Sequence, residues 1–195
     1  MSKGAQTRQF IIEKAAPVFN TKGIEATAMS DIMEATKLSK GSLYLHFKDK
    51  EALTHAVVEH NLALLKEKVN AAVGKFDSAR DRLFAFIDVL TDVLYAPVAG
   101  GCPMINFGME ADDTNPAVNK QVQQAMEQTQ KRIADMIKQG IQNGEFKADW
   151  NYKEFATIMF ATIEGGVIIS RVARNNSKTK IITNYLKKMI DEQLR

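Results

Sequence analysis

The side chains best suited to chemistry are concentrated in one short stretch, residues 39–50. It holds two serines, a tyrosine, a histidine and three lysines, beginning at Ser39 and ending at Lys50. Hydroxyl and ammonium groups at this density donate hydrogen bonds to phosphate oxygens and neutralise their charge. The chain has no phosphate-binding loop, no His-Glu-x-x-His zinc motif and no Glu-x-x-His di-iron pair. The indicated chemistry is therefore binding of a polyanion rather than catalysis, and we expect no enzyme activity, cofactor or metal.

Two short helices joined by a tight turn must position these groups. The first has an apolar face at helical spacing between Ile32 and Leu38. Residues 37–39 lack that period, and Ser39 suits the N-cap of a second helix because its hydroxyl can accept an early backbone N–H. Leu43 and Phe47 lie four apart and would anchor this second helix from one face. The pattern predicts a helix-turn-helix, whose second helix enters the major groove of DNA.

This arrangement assigns DNA contacts to individual side chains. Lys40 and Lys50 are the main predicted phosphate contacts, and Gly41 leaves room for backbone to approach a phosphate. Leu45 faces the bases as a contact for a thymine methyl, or it packs onto the following helix. The predicted DNA-binding set is Thr27, Ser30, Ser39, Lys40, Gly41, Ser42, Tyr44, Leu45, His46 and Lys50.

Residues 39–53, from Ser39-Lys40-Gly41 to Glu51-Ala52-Leu53, resemble the signature of the TetR family of bacterial transcriptional regulators. The upstream sequence fits as well, with Ala15-Ala16, Phe19, Gly23, Thr27 and Asp31-Ile32. The resemblance implies a homodimeric, all-helical repressor or activator with a ligand pocket in its second domain. Two positions depart from the family pattern: the family usually has Ser or Thr at Ala28 and a polar or aromatic residue at Leu45.

Charge and composition agree with a DNA-binding head on a neutral body. The 195 residues carry a net charge of +3, with 45% hydrophobic and 25% charged residues. Residues 1–50 hold eight Lys or Arg against five Asp or Glu, whereas the remainder holds 18 of each sign. The single Cys102 excludes an internal disulfide and fits a reducing cytoplasm. We expect a cytoplasmic protein without a membrane partner, because no uninterrupted apolar run approaches a membrane span.

The whole chain is predicted to be all-α, with about nine helices and no period-two strand pattern. A helix-turn-helix domain over residues 1–52 is followed by a ligand-binding and dimerisation domain over residues 53–195, with a continuous helix crossing the boundary. Besides the two helices of the helix-turn-helix, the predicted helices span about residues 5–21, 50–73, 78–95, 104–111, 116–142, 152–174 and 178–194.

The last two helices are predicted to form a two-fold, four-helix dimer interface. Two adjacent glycines inside a helix cost about 1 kcal/mol each relative to alanine, so they need a reason, and close helix approach provides one. A kink or a pocket wall is the alternative reason. The predicted interface residues are Gly165, Gly166, Ile169, Ile182, Tyr185, Leu186 and Met189.

The region around Cys102 is predicted to border a ligand cavity. Residues 101–110 resemble a Gly-Cys-x-x-x-Asn-x-x-x-Glu pattern found in one subset of TetR-like regulators, where this region borders the cavity and the head–body junction. Nine methionines favour an adaptable apolar lining. The predicted pocket residues are Phe84, Ile87, Leu94, Cys102, Asn106, Phe107, Glu110, Met136, Met159 and Phe160.

The sequence therefore favours a ligand-responsive regulator, with repression as the commoner family role. Its expected partners are a palindromic operator in double-stranded DNA, a small apolar effector and a second copy of the chain. One alternative is a regulator that senses oxidants or electrophiles through Cys102, since a helix N-terminus lowers thiol pKa. A helical-bundle enzyme and a DNA-binding architectural protein without a ligand are two further hypotheses.

Overall fold

A computed structural model describes residues 2–91 and 98–195, and this part of the chain forms nine α-helices and no strand. The all-α prediction is therefore confirmed. The helices are α1 (Lys3–Lys22), α2 (Met29–Thr36), α3 (Lys40–Tyr44), α4 (Lys50–Val73), α5 (Ala79–Thr91), α6 (Pro103–Ala111), α7 (Pro116–Gln142), α8 (Tyr152–Ala173) and α9 (Ser177–Asp191).

Helix ends follow the local sequence closely. Gly23 ends α1 with a φ of +91°, a conformation that glycine adopts without a Cβ clash. Pro17 lies inside α1 without ending it. The bounds of α4 and α7 match those predicted, and α5 is described as far as Thr91.

The first of two compact units comprises Met1–Leu65 and Pro97–Gln124. Within it, α1 packs against α2 and α6, and α2 packs against α3. The side chains that form the core of this unit are fully or almost fully buried, so the hydrophobic effect holds its helices together. They include Ile11, Ala15, Phe19, Ile32, Leu43, Phe47, Leu53, Val57 and Phe107.

The second unit comprises Lys66–Ala96 and Ala125–Arg195, and α5, α8 and α9 pack against one another in it. The carboxylate of Glu145 accepts hydrogen bonds from the backbone N–H groups of Ala79 and Arg80, at 2.8 and 2.7 Å, and so caps α5. The core of the second unit includes Leu83, Phe86, Ile87, Ile133, Ile137, Met159, Ile163, Leu186 and Ile190. Because α4 and α7 contribute to both units, the division into domains at residues 52 and 53 stays a prediction.

One helix in the described part of the chain, α8, is long and apolar enough to cross a membrane by length and composition alone. Half of its most apolar window is buried inside the protein. An interior helix of a globular unit meets the same criterion, and α8 supplies core side chains such as Met159 and Ile163.

Candidate nucleic-acid interface

The predicted recognition helix is α3, and it is fixed at both ends. The Ser39 hydroxyl accepts a hydrogen bond from the backbone N–H of Ser42 at 3.2 Å, as expected of an N-cap. Leu43 is fully buried, and Phe47 is only 2% exposed. These two apolar anchors and the cap determine which face of α3 points away from the protein, so the helix-turn-helix prediction is confirmed at the level of local geometry.

The outward face of this segment carries an unusual combination of side chains. Leu45 is 84% exposed, so its alternative role of packing onto the following helix is excluded. Tyr44 is exposed, and the Lys40 ammonium lies 5.9 Å from the centroid of its ring. Gly41 is exposed as well, and nothing lies within 4 Å of where its Cβ would be. Ser42 and His46, which are half-buried, lie at the margin of this face.

The start of α4 adds a further cation and a negatively charged cap. The Lys50 ammonium donates to the backbone carbonyl of Glu25 at 3.2 Å, which holds it beside the turn before α2. The Asp49 carboxylate accepts the backbone N–H of Ala52 at 2.7 Å, and this hydrogen bond lowers the pKa of Asp49 below its usual value. Lys50 is half-buried rather than freely solvated.

The prediction for Thr27 is wrong. Its side chain is fully buried, and its hydroxyl donates to the backbone carbonyl of Gly23 at 2.5 Å, so it cannot reach a phosphate. The hydroxyl is used inside the protein, where an unpaired donor would be costly. Ser30 is exposed in the first turn of α2 and stays available for such a contact.

Ala28 is the N-cap of α2 and offers no side-chain cap. Asp31 compensates, because its carboxylate accepts the backbone N–H of Ala28 at 2.8 Å. The same carboxylate accepts from the Lys22 ammonium at 2.5 Å. The hydrogen bond from Lys22 and then that from Ala28 lower the pKa of Asp31 below its ordinary value. The departure from the family pattern at Ala28 thus leaves α2 capped by a different group.

Helix α6 is held to the end of α1 and to the turn that follows it. Glu110 accepts the backbone N–H groups of Ile24 and Glu25, at 2.7 and 2.8 Å. The side-chain amide of Asn106 donates to the backbone and side-chain oxygens of Asn20, at 3.0 and 3.1 Å, and it also donates to the carbonyl of Gly100.

The placement of Asn106 and Glu110 at a ligand pocket stays a prediction. Their polar groups are used to hold α6 against α1 and the α1–α2 turn. Cys102 is the N-cap residue of α6 and is partly exposed, and Phe107 is fully buried. Asn20 was not among the predicted residues. The one signal for it is its place in the last turn of a predicted helix, where backbone carbonyls lack intrahelical partners.

The remaining predicted pocket residues belong to the second unit. Ile87, Met136, Met159 and Phe160 are buried core residues there. Leu94 lies outside the described residues. A groove of about 340 Å³ in this unit is lined by a different set, including Gln130, Lys138, Tyr152, Ala156 and Thr157.

Phe84 is half-exposed and two cations cover its ring, and its role as a pocket residue stays a prediction. The Arg80 guanidinium lies 4.2 Å from the ring centroid, and the Lys187 ammonium lies 5.1 Å from it. Arg80 also pairs with Asp191 at 2.6 Å, and that hydrogen bond raises the pKa of Arg80.

Two of the predicted dimer residues face the interior of their own unit. A Cβ on Gly166 would lie 2.8 Å from the Cδ1 atom of Ile182, so this glycine allows α8 and α9 of one chain to approach each other. Leu186 is 1% exposed. The predictions of Gly166 and Leu186 as interface residues are therefore wrong, because neither offers surface to a partner, and Ile182 is engaged with Gly166.

Other predicted interface residues on α8 and α9 are accessible at the surface. Nothing lies within 4 Å of a Cβ placed on Gly165, and Ile169 and Tyr185 are exposed, whereas Met189 is half-buried. The structure shows further exposed apolar residues on the same two helices, outside the set of seven predicted interface residues. They are Ile158, Ile168 and Val172 on α8, and Ile181 on α9.

Comparisons with known proteins agree with this architecture. A family model described as bacterial regulatory proteins of the tetR family matches residues 11–57, and one described as a tetracyclin repressor-like C-terminal domain matches residues 79–186. A TetR family transcriptional regulator from Cytophaga hutchinsonii is 35% identical, with a TM-score of 0.94, and the match covers 100% of this chain and 98% of that one.

Two further relatives give the same result. A TetR transcriptional regulator from Chloroflexus aurantiacus J-10-FL is 32% identical, with a TM-score of 0.95 and coverage of 100% of this chain and 99% of that one. The transcriptional repressor DhaR of Mycobacterium sp. strain GP1 is 26% identical over 173 residues, which cover 86% of this chain and 84% of DhaR. These relatives are transcriptional regulators rather than enzymes. The chain belongs to the TetR family of bacterial transcriptional regulators.

Proposed function

We propose that the protein is a dimeric repressor, released from a palindromic operator by a small apolar effector. The observation that carries the DNA-binding part is the outward face of α3, where Tyr44 and Leu45 are exposed beside Lys40. A capped and anchored helix with an apolar tip and flanking cations suits the major groove. Ser30 and Lys50 would contact the backbone, while Ser42, Leu45 and His46 would face base edges. The protein would act in the cytoplasm.

The second copy would dock on the exposed apolar strip of α8 and α9. Val172 is 83% exposed, and Ile169 and Tyr185 extend the strip on the two helices. Exposed apolar surface at helical spacing gains free energy when a partner covers it. In a two-fold dimer, the two recognition helices must match half-sites about one helical turn apart, roughly 34–36 Å.

The effector would bind among apolar side chains of the body, with Met136, Met159 and Phe160 as the candidates. An effector can release DNA only if it binds better to a conformation that disfavours the operator spacing. Helix α6 would report that conformation, because Glu110 and Asn106 connect it to the α1–α2 turn and to α1. This role supports placing the chain in the subset with the Gly-Cys-x-x-x-Asn-x-x-x-Glu segment.

A second candidate function is sensing of oxidants or electrophiles through Cys102. The thiol is partly exposed and occupies the N-cap of α6, where the helix dipole favours a thiolate. Modification there would act on the helix that holds the α1–α2 turn. A Cys102→Ser variant that still releases DNA when treated with an electrophile would eliminate this candidate.

The central experiment is selection of bound sequences from a random DNA pool, followed by gel-shift titration of the selected duplex. Tyr44→Ala should weaken binding by about 1–3 kcal/mol, the range for single contacts of this kind. Lys66→Ala, an exposed lysine of α4 in the second unit, serves as the matched control and should bind as the parent does. Failure to enrich any sequence would refute the DNA-binding proposal.

The effector part of the proposal needs a separate measurement. The selected duplex is titrated again in the presence of a panel of apolar compounds, and compounds that release it are then tested by thermal shift on the free protein. A releasing compound should raise the unfolding temperature, because it binds the folded state. If a compound releases the duplex without changing the unfolding temperature of the protein, the compound acts on the DNA instead.

A further inference from the structure

An arginine of α1 lies beside the recognition segment, although no motif marks it. Arg8 is exposed in the second turn of α1, and its guanidinium carbon lies 4.8 Å from the centroid of the Phe47 ring. Phe47 is the buried anchor that follows the exposed Leu45 by two residues. The contact therefore connects a side chain of the first helix to the end of the DNA-facing segment.

The charge of Arg8 has no acidic counterpart within the described residues. No carboxylate in that part of the chain forms an ion pair or a hydrogen bond with its guanidinium. Two other cations of the same unit do have acidic neighbours, since Lys22 pairs with Asp31 at 2.5 Å and Lys48 lies 3.5 Å from Asp49. Arg8 thus presents a full positive charge at a position that Phe47 restrains.

No hydrogen bond within the described residues uses the N–H groups of Arg8, so they remain available to an anion while the guanidinium lies over the Phe47 ring. Those N–H groups form a rigid fork that matches two oxygens of a phosphate. Holding the fork in place beforehand reduces the entropy lost on binding. The chemistry of the site is therefore that of a phosphodiester contact rather than a base contact.

We propose that Arg8 binds a backbone phosphate of the DNA beside the recognition helix, with Phe47 positioning its guanidinium. This inference rests on the proposed DNA-binding function and adds α1 to the contact surface. The DNA would be contacted on the backbone flanking the groove that α3 enters. Such a contact should strengthen binding to all DNA sequences equally, because phosphates carry no sequence information.

The same helix offers a matched control. Lys14 is exposed six residues further along α1, and its ammonium lies 5.8 Å from the centroid of the Phe10 ring. It shares with Arg8 the positive charge, the aromatic partner and the parent helix. Phe10 does not belong to the recognition segment, so Lys14→Ala removes a cation from α1 and leaves the proposed phosphate contact in place.

The experiment measures the affinity of the full chain for the selected duplex, and for an unrelated duplex, over a series of salt concentrations. The slope of log affinity against log salt should fall in magnitude by about 0.9 for each phosphate that is no longer neutralised, hence by about 1.8 for a dimer. Arg8→Ala and Arg8→Gln should both show this fall on both duplexes. Arg8→Lys should retain most of the slope, and Lys14→Ala should retain all of it.

Thermal unfolding of each variant separates binding from folding. Arg8→Gln keeps a chain of similar length over Phe47, so it should remain folded even if Arg8→Ala is destabilised. A parent-like salt slope in folded Arg8→Gln would overturn the inference while leaving the DNA-binding proposal intact. An equal fall in Lys14→Ala would also overturn it, because the effect would then be general charge. Absence of DNA binding by the parent would refute the proposed function itself, and the inference with it.

Discussion

Replacing Glu110 by alanine should destabilise the first unit and weaken DNA binding. The Glu110 carboxylate accepts the backbone N–H groups of Ile24 and Glu25, at 2.7 and 2.8 Å, across 86 and 85 positions of the chain. Gly23, with its φ of +91°, leaves room for it, since a Cβ there would lie 3.0 Å from Oε2. The variant would leave the α1–α2 turn without its acceptor.

The size of the effect follows from the two hydrogen bonds. Hydrogen bonds to a charged group contribute about 1.5–3 kcal/mol each. Both N–H groups can turn to water when the half-buried carboxylate is removed, and Glu110 lies in the last turn of α6, where the helix dipole disfavours an acid by about 0.3–1 kcal/mol. We therefore expect a net loss of about 2–3 kcal/mol, equivalent to a fall of roughly 4–12 °C in Tm for a chain of this size.

The assay is thermal and chemical unfolding of the full chain, with gel-shift titration alongside. Glu59→Ala is the control, because Glu59 is an exposed carboxylate on α4 in the same unit. Glu110→Gln should show a smaller loss, since one uncharged oxygen remains to accept one N–H. Hydrogen exchange at the amides of Ile24 and Glu25 should accelerate in Glu110→Ala.

Two results would refute this reasoning. A loss below about 0.5 kcal/mol, the range of ordinary surface substitutions, would mean that the hydrogen bonds do not hold the turn. If Glu110→Ala shows the expected stability loss but binds DNA with the affinity of the parent, the α1–α2 turn is not needed to place α2 and α3. In that case α6 would have no role in reporting the effector.

Three further predictions concern separate parts of the molecule. The hydrogen bond from Lys22 lowers the pKa of Asp31. The contribution of Asp31 to stability is therefore present above its unfolded pKa of about 3.9 and is lost as the pH falls through the folded value. Asp31→Asn should accordingly make the unfolding free energy fall less steeply with acidification. Gly140→Ala should destabilise by about 1–3 kcal/mol in urea unfolding, because the new Cβ would lie 2.4 Å from Cδ2 of buried Phe146. Val172→Glu should convert the protein to a monomer in sedimentation at micromolar concentration, since it puts a charge on the proposed dimer surface.

Each of these has an outcome that contradicts it. An Asp31→Asn curve with the parent's acid limb would show that other carboxylates determine it. Gly4→Ala is the control for Gly140→Ala, because nothing lies within 4 Å of its Cβ position, and equal effects would remove the packing argument. For the dimer, Phe76→Glu alters another exposed apolar residue, and equal dissociation would show that charge rather than location matters.

The helix-turn-helix could be predicted from sequence because its determinants are local. The Ser39 cap acts three residues away, and Leu43 and Phe47 lie four apart on one helical face. The family resemblance over the same residues agreed with this local chemistry. Helix bounds such as those of α4 and α7 were predictable for the same reason, since glycine and proline mark them in the chain.

The roles of α6 and α5 could not be predicted, because their partners lie far along the sequence. The resemblance over residues 101–110 placed Asn106 and Glu110 beside a cavity, but it could not show that their side chains meet α1 and the α1–α2 turn. Likewise, Phe84 was predicted to line the ligand pocket, and no signal in the sequence indicated that Arg80 and Lys187 cover its ring. A pattern identifies a face of a helix, and only the tertiary structure identifies what that face contacts.

The isolation of Leu45 has a consequence for how this regulator can change over evolutionary time. The side chain is 84% exposed, so it contributes little to the packing of its own unit. Surface substitutions away from packed features usually alter folding free energy by less than about 0.5 kcal/mol. Substitutions at position 45 can therefore accumulate with almost no effect on whether the protein folds. Under the proposed base contact of Leu45, operator preference could diverge at this one position while the scaffold beneath it stays unchanged.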